Sequence, residues 1–451
     1  MTAVLALPIV QELGKFAIKE AAKSAGNSVA KYILLEVIFE DSAARRDAEI
    51  QKKLDAIEQG QLQILDQIAA LHERVGLKAS LETIHNEVHG VLLTVKSRTA
   101  SDKDVKSLNK FLSLTGKGSA RMLADDLHQK LFGTGEVTPD HFWIGDADRP
   151  PERALKAAHR DSHVGATANA MFNANGTVPM DEYVPKMLRL YADILNQFAV
   201  LGAAIQVAKQ FLESKGKLED ADRNAQLFSG AGLTGMMQAH AMHYIASLAP
   251  AAFLLYKHVF VDKQWHRIGL DTKSRGRMLE WDTSAKRRPV ERTSGGLTPS
   301  IKYEIFKPVY ADHPATARTG QAPSHLCWQV GLADGDGPHY CVVLKTDDQP
   351  GSFLGVFSYK AWSKSTKFGP AVTYSDEVGL GGDRGLGACR WRLHLRKGDD
   401  KEPVYFLLES LHTSKFLNIH GGESWKIRQV FVDGENLSHD DKAFRLVFPA
   451  A

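Results

Sequence analysis

Cysteine is scarce in this chain, three among 451 residues, which excludes the disulfide framework of a small secreted scaffold. An excess of either charge is missing too. The 56 basic and 53 acidic residues leave a formal net charge of +3, without the basic surplus with which nucleic-acid binders usually meet phosphate. No nucleic-acid partner is expected. The first residues, MTAVLALPIVQELGKF, have no basic segment ahead of the apolar run and no clear cleavage site after it. They read as helix and not as a secretory leader.

Signatures of turnover are missing as well. There is no GxSxG elbow and no kinase set, and the Gly-rich stretch GLGGDRGLG (379–387) lacks the Lys-Ser/Thr of a P-loop. His85 and His89 stand i, i+4, and His159, Asp161 and His163 form a second cluster. That spacing suits zinc, but no third ligand accompanies it, and exposed helix histidines are the plainer explanation. No catalytic residue, cofactor or metal is expected. Stoichiometric zinc would promote an enzyme with its site in the helical half.

What is present is globular in composition: 43% hydrophobic and 24% charged residues, close to the average of folded domains. The length suggests two or three domains. Histidine is frequent, and protonating all 18 would move the net charge from +3 to +21.

Residues 1–268 read as an elongated all-α bundle. Over 9–40, apolar residues such as Leu13, Phe16, Ile33 and Val37 alternate with Lys15, Lys19, Lys23 and Lys31. That pattern fits a core-facing bundle helix or, functionally, a helix on a membrane surface. Ile50, Leu54, Ile57, Gln61, Ile64, Ile68, Leu71 and Val75 step alternately by four and three, a heptad seam with one polar interruption. A single helix over 44–77 would be about 45–50 Å long. A long apolar helix is expected over 182–213, containing Phe198, Leu201 and Ile205.

From Asn224 to Tyr256, 33 residues pass without Asp, Glu, Lys or Arg. The stretch is long enough for a bilayer core of about 30 Å, but moderately polar and interrupted by Pro250. It fits a central helix buried by a bundle, and it fits a segment that inserts after a trigger. The insertion candidates are Phe198, Leu201, Ile205, Leu233, Met236, Ile245, Leu248, Phe253 and Leu254. His240 and His243, the titratable groups of that stretch near neutral pH, are candidates for a pH switch.

Residues 269–451 read as all-β: short β-rich runs recur between Pro and Gly punctuation. They contain a repeat. YCVV (340–343) and YFLL (405–408) precede FLGV (353–356) and FLNI (416–419). Trp328-Gln329-Val330, Trp391-Arg392-Leu393 and Phe444-Arg445-Leu446 recur at spacings of 63 and 53 residues. Each of the latter sets an aromatic and an aliphatic residue on one strand face.

This cadence resembles β-trefoil domains of the ricin-B-like and fascin-like kind. The resemblance implies three lobes about a pseudo-threefold axis and a binding role, although the Gln-x-Trp element of lectin trefoils is absent. Asn418, His420, Trp425, Asp433 and Asn436, in and around the loops HGGESW (420–425) and VDGENL (432–437), are the ligand-binding candidates; turn chemistry explains the same residues. The overall order, a helical domain and then a β-domain, resembles α-helical pore-forming toxins, including the insecticidal kind.

The expected architecture is thus α+β and multidomain. The expected function is that of a pore-forming toxin, released without a recognisable signal peptide, that acts at target-cell membranes. Its partners would be a target-cell membrane, a cell-surface glycan or protein receptor, and copies of itself in a homo-oligomer. The alternative is a non-membrane scaffold that oligomerises by its coiled coil and binds a glycan or protein through the β-domain.

Overall fold

The computed structural model describes residues 12–17, 46–70, 75–97, 101–113, 116–133, 162–218, 241–242, 244–273, 277–281, 288–290, 303–305, 309–314, 326–333, 341–347, 353–356, 369–374, 389–398, 404–411, 414–419, 430–433, 437 and 440–448. The architecture is α+β, with helices in the first half and a strand-rich, barrel-like second half. Contacts divide the chain into two compact units. The helical unit takes 4–170 and 185–248; the β unit takes 249–451 together with 1–3 and 171–184. A division at 268/269 would leave 249–268 and 171–184 on the helical side, whereas contacts group both segments with the strands.

In the helical unit, α1 (Arg46–Ala70) and α2 (Val75–Ser97) pair antiparallel: Gln61 Nε2 donates to the His85 carbonyl at 3.0 Å, and Lys96 binds Glu58. The heptad residues Leu54, Ile57, Gln61, Ile64 and Ile68 are buried, so the seam packs within the chain. The expected single helix over 44–77 is therefore corrected. α1 has 25 residues, about 37 Å, and Val75 opens the next helix. Leu71 lies outside the described residues.

α3 (Asp102–Leu112) begins with a capping box between Ser101 and Asp104. α4 (Ala120–Phe132) starts at Ser119 and ends where Gly133 takes φ 96°, a conformation open to glycine. Ser80 of α2 donates to Asp126 of α4. A short α5 (His163–Ala170) follows. Then α6 (Met180–Ser214) runs for 35 residues. Its Gln197 Nε2 donates to Gln67 Oε1 at 2.7 Å, and Asn196 Nδ2 reaches the Gly60 carbonyl at 3.5 Å. These bonds satisfy polar groups that would otherwise cost energy against α1.

The 224–256 stretch is not one helix. Helical residues 244–247 give way to a turn, Ala249 takes φ −155° and ψ 62°, and Pro250 starts a new helix, α7 (Pro250–Leu255). Proline has no N–H for the preceding turn and fits the first helical position. α7 continues as a π-helix over Tyr256–Val261.

Among the described residues the β unit holds fifteen strands: β1 (Thr177–Pro179), β2 (His266–Thr272), β3 (Arg277–Trp281), β4 (Arg288–Val290), β5 (Tyr303–Ile305), β6 (Val309–Pro314), β7 (Trp328–Leu332), β8 (Val342–Thr346), β9 (Phe353–Val356), β10 (Gly369–Tyr374), β11 (Trp391–Lys397), β12 (Val404–Ser410), β13 (Lys415–Ile419), β14 (Val430–Asp433) and β15 (Phe444–Val447). Six of them close a ring, β2–β7–β8–β11–β12–β15 and back to β2. Between consecutive ring members lie three antiparallel pairs, β3–β6, β9–β10 and β13–β14. Closure removes the sheet edges that invite aggregation.

The ring repeats in threes at the level of side chains. Trp328 stands opposite Thr346, Trp391 opposite Ser410 and Phe444 opposite Thr272, and all six are buried. Trp328 Nε1 donates to the Leu279 carbonyl at 3.1 Å, and Trp391 Nε1 to that of Leu354 at 2.9 Å. The registers equate Val342 with Phe406, because Trp391 pairs with the first and Phe444 with the second. The alignment of YCVV on YFLL is thus one residue out of step. β12 is buried on both faces, so alternation could not set its register.

Candidate functional site

Two places carry candidate functional residues, one in each unit. In the helical unit it is α6 from Pro185 onward. Phe198, Leu201 and Ile205 are all buried there. α6 is the described helix that is long and apolar enough to cross a membrane, and 78% of its apolar window is buried. No Asp, Glu, Lys or Arg falls between Asp193 and Lys209. Crowding by the fold pushes the Asp193 carboxyl up to about 6, against the opposing pull of Gln67 and Arg189, although the side chain still reaches the surface.

Of the other insertion candidates, Ile245 and Phe253 are buried, and Leu248 and Leu254 half-buried. Phe253 and Leu254 belong to the β unit and Ile245 and Leu248 to the helical unit, with the helix break at Ala249 between the two pairs along the chain. Leu233, Met236, His240 and His243 lie outside the described residues.

The histidines that the structure does describe are elsewhere. His258 and His266 stack at 4.7 Å and 3°, with Asp262 3.9 Å from His258 and Phe448 against His266. Burial, then the neighbouring His258, lowers the His266 pKa below its usual value. The neutral ring is therefore favoured by folding. Its contribution is complete above about pH 6.5 and is lost as the pH falls toward the lowered folded value. The unfolding midpoint of the β unit is expected to drop between pH 7 and 5, and His266→Gln to flatten that slope. An unchanged slope would exclude this pair as its source. His85 and His89 also stack, at 6.0 Å, and burial lowers the His85 pKa. Among the described residues no group of three metal-ligating side chains occurs. His159 and Asp161 lie outside them.

In the β unit, Asn418 of β13 is buried opposite Phe431, and Asp433 of β14 stands opposite Phe416, two rungs away on the same hairpin. His420, Trp425 and Asn436 lie outside the described residues. The three cysteines are buried and unpaired with one another, and burial pushes the Cys389 thiol up to about 12, which makes it a poor nucleophile.

Two groupings were not anticipated from the sequence. β1 pairs with β11, Thr177 opposite Arg396 and Pro179 opposite His394. Just after it, Arg392 makes a two-pronged contact with Asp181, Nε to Oδ1 and Nη2 to Oδ2 both at 3.2 Å, and Nη2 reaches Glu182 at 3.1 Å. Asp181 and Glu182 form the first turn of α6, where acidic side chains also suit the helix dipole. The second grouping lies on the outer face of β2, β7 and β8. Asp347 accepts from Arg267 Nε and Gln329 Nε2, both at 2.6 Å, and Trp265 is 50% exposed beside them. Only an alternation of spacing, 265/267 and 327/329/331, hinted at this row.

No protein-family model and no curated protein matches the chain. Solved structures with detectable likeness include the designed threefold symmetric protein ThreeFoil, at 20% identity and TM-score 0.25, over 40% of this chain and 97% of that one. The SDF2-like protein from Arabidopsis thaliana is 16% identical at TM-score 0.25, over 40% and 93%. A salivary protein from Culex quiquefasciatus of the Cysteine and Tryptophan-Rich family is 15% identical at TM-score 0.25, over 42% and 97%. At such scores these likenesses carry no argument about function.

Proposed function

We propose that this protein is a two-part, membrane-permeabilising toxin. Its β unit is a β-trefoil that recognises a surface glycan or receptor, and its helical unit releases α6 into the target-cell membrane. The trefoil reading is supported by the closed six-strand ring, its three intervening hairpins and the threefold Trp328–Thr346, Trp391–Ser410 and Phe444–Thr272 pairs. The observation that carries the membrane reading is α6, 35 residues long and free of charged side chains from 194 to 208. In this reading the protein works by binding and insertion without turnover. It acts outside the cell that makes it, and the inserted form is a homo-oligomer.

The test adds a charge to α6 where folding tolerates it. Gln206 is half-buried, and an arginine at the centre of a membrane helix costs about 2.5–3.5 kcal/mol. Gln206→Arg is expected to cut dye release from liposomes by about 100-fold with the thermal midpoint unchanged, while Gln206→Leu retains release. Equal release by both variants would overturn insertion of α6. The scaffold reading is favoured by one observation, the 78% burial of the same apolar window, as in the core helix of a soluble bundle. It would show as a stable soluble oligomer that ignores liposomes.

A further inference from the structure

We propose that the outer face of the β2–β7–β8 ladder is a saccharide site for a carboxylated pyranose, with Trp265 as its stacking platform and Lys345 as its anion partner. The proposal rests on the reading of the β unit as the binding part and names a ligand class and a site for it.

The ladder register places the residues. Arg267 stands opposite Gln329, and Gln329 opposite Lys345; two rungs along, Gly331 stands opposite Val343. Alternate positions share a strand face, so Arg267, Gln329, Lys345 and Asp347 form one polar patch. Trp265 precedes β2 and lies over Gly331. A Cβ at that position would come within 2.6 Å of the indole, so the flat approach of ring to strand depends on glycine there. Trp328 and Trp391 are fully buried, whereas half of the Trp265 surface stays open although its ring already rests on the strand.

Each part of the patch has a use for a sugar. The negative face of an indole attracts the weakly positive C–H face of a pyranose. Asp347 holds Gln329 through its amide NH₂ group at 2.6 Å, which leaves the Gln329 carbonyl oxygen to accept from a hydroxyl. Lys345 Nζ stands over the Trp265 ring, 5.9 Å from its centroid, and makes no ion pair with another described residue, whereas Arg267 is engaged with Asp347. A ligand carboxylate beside the stacked ring would give Lys345 its counter-ion, and that is the feature that selects an acidic sugar over a neutral one.

The experiment is an NMR titration of the full chain at pH 7.5, without lipid, with methyl β-glucuronoside and methyl β-glucoside. The glucuronoside is expected to bind about 10-fold tighter, the worth of one charge-assisted hydrogen bond. Lys345→Gln should erase the difference. Trp265→Ala should abolish binding of both sugars, and Trp265→Phe should keep it. Gly331→Val, which displaces the indole, should also weaken binding, with the melting midpoint of each variant reporting its fold. Equal affinity of the wild type for the two sugars, binding of neither, or unchanged binding by Trp265→Ala would each overturn the proposal. Because no membrane is present, failure here leaves the dye-release result standing, and failure of dye release leaves this one.

Discussion

Replacing Trp391 by alanine is expected to lower the stability of the β unit by about 3–5 kcal/mol, the usual cost of truncating a buried large aromatic. Trp391 is fully buried, stands opposite Ser410 and Val342 on two neighbouring strands, and donates its indole N–H to the Leu354 carbonyl at 2.9 Å. Truncation leaves a cavity inside the ring and strips that carbonyl of a partner. Trp391→Phe keeps most of the volume and loses the hydrogen bond, at a cost of about 1–3 kcal/mol for the buried group left unpaired. Hydrogen exchange at the β8, β11 and β12 amides reads both losses. A Trp391→Ala protein with unchanged protection would show that the ring does not depend on its threefold aromatic layer.

Arg392→Ala is the second large effect. Arg392 and Asp181 keep only 13% and 8% of their side chains exposed, and removing one partner of a buried pair costs about 3–5 kcal/mol because the other charge is left uncompensated. Asp181 sits in the first turn of α6, directly after the β1 strand that pairs with β11. Loss of the arginine should therefore open residues 177–184 to exchange while the rest of the β ring keeps its protection. If release of α6 is the functional step, the same variant should permeabilise liposomes faster than the wild type. Arg392→Lys should restore only part of the clasp, since an ammonium cannot make the two-pronged contact. Unchanged exchange over 177–184 would mean that Arg392 does not hold this turn.

Much of this was legible in the chain itself. The four-and-three spacing of Leu54, Ile57, Gln61, Ile64 and Ile68 named the buried face of α1, because a helix turns its repeat toward one side. The recurrence of Trp328, Trp391 and Phe444 marked the three aromatic positions of the ring. What escaped has physical reasons. The end of α1 fell where no proline or glycine signalled it before Gly76, and helix boundaries are weakly encoded. β1 is three residues long and ends in proline, a composition that argues against a strand except at an edge.

The outer-face patch assembles Gln329 and Lys345 from the consecutive strands β7 and β8 with Trp265, which stands just ahead of the distant β2. Each is unremarkable alone, and only the ladder register joins them. Asn418, a ligand candidate by its place before a turn-rich loop, is a buried residue of β13.

The account turns on whether α6 leaves its buried setting for a membrane, and dye release from liposomes by the intact chain, stepped from pH 7.5 to 5, measures that most directly. The account predicts release that rises as the pH falls, is faster for Arg392→Ala and is lost in Gln206→Arg. No release at any pH, with target-membrane lipids and after limited proteolysis, would contradict it and leave a soluble binding protein.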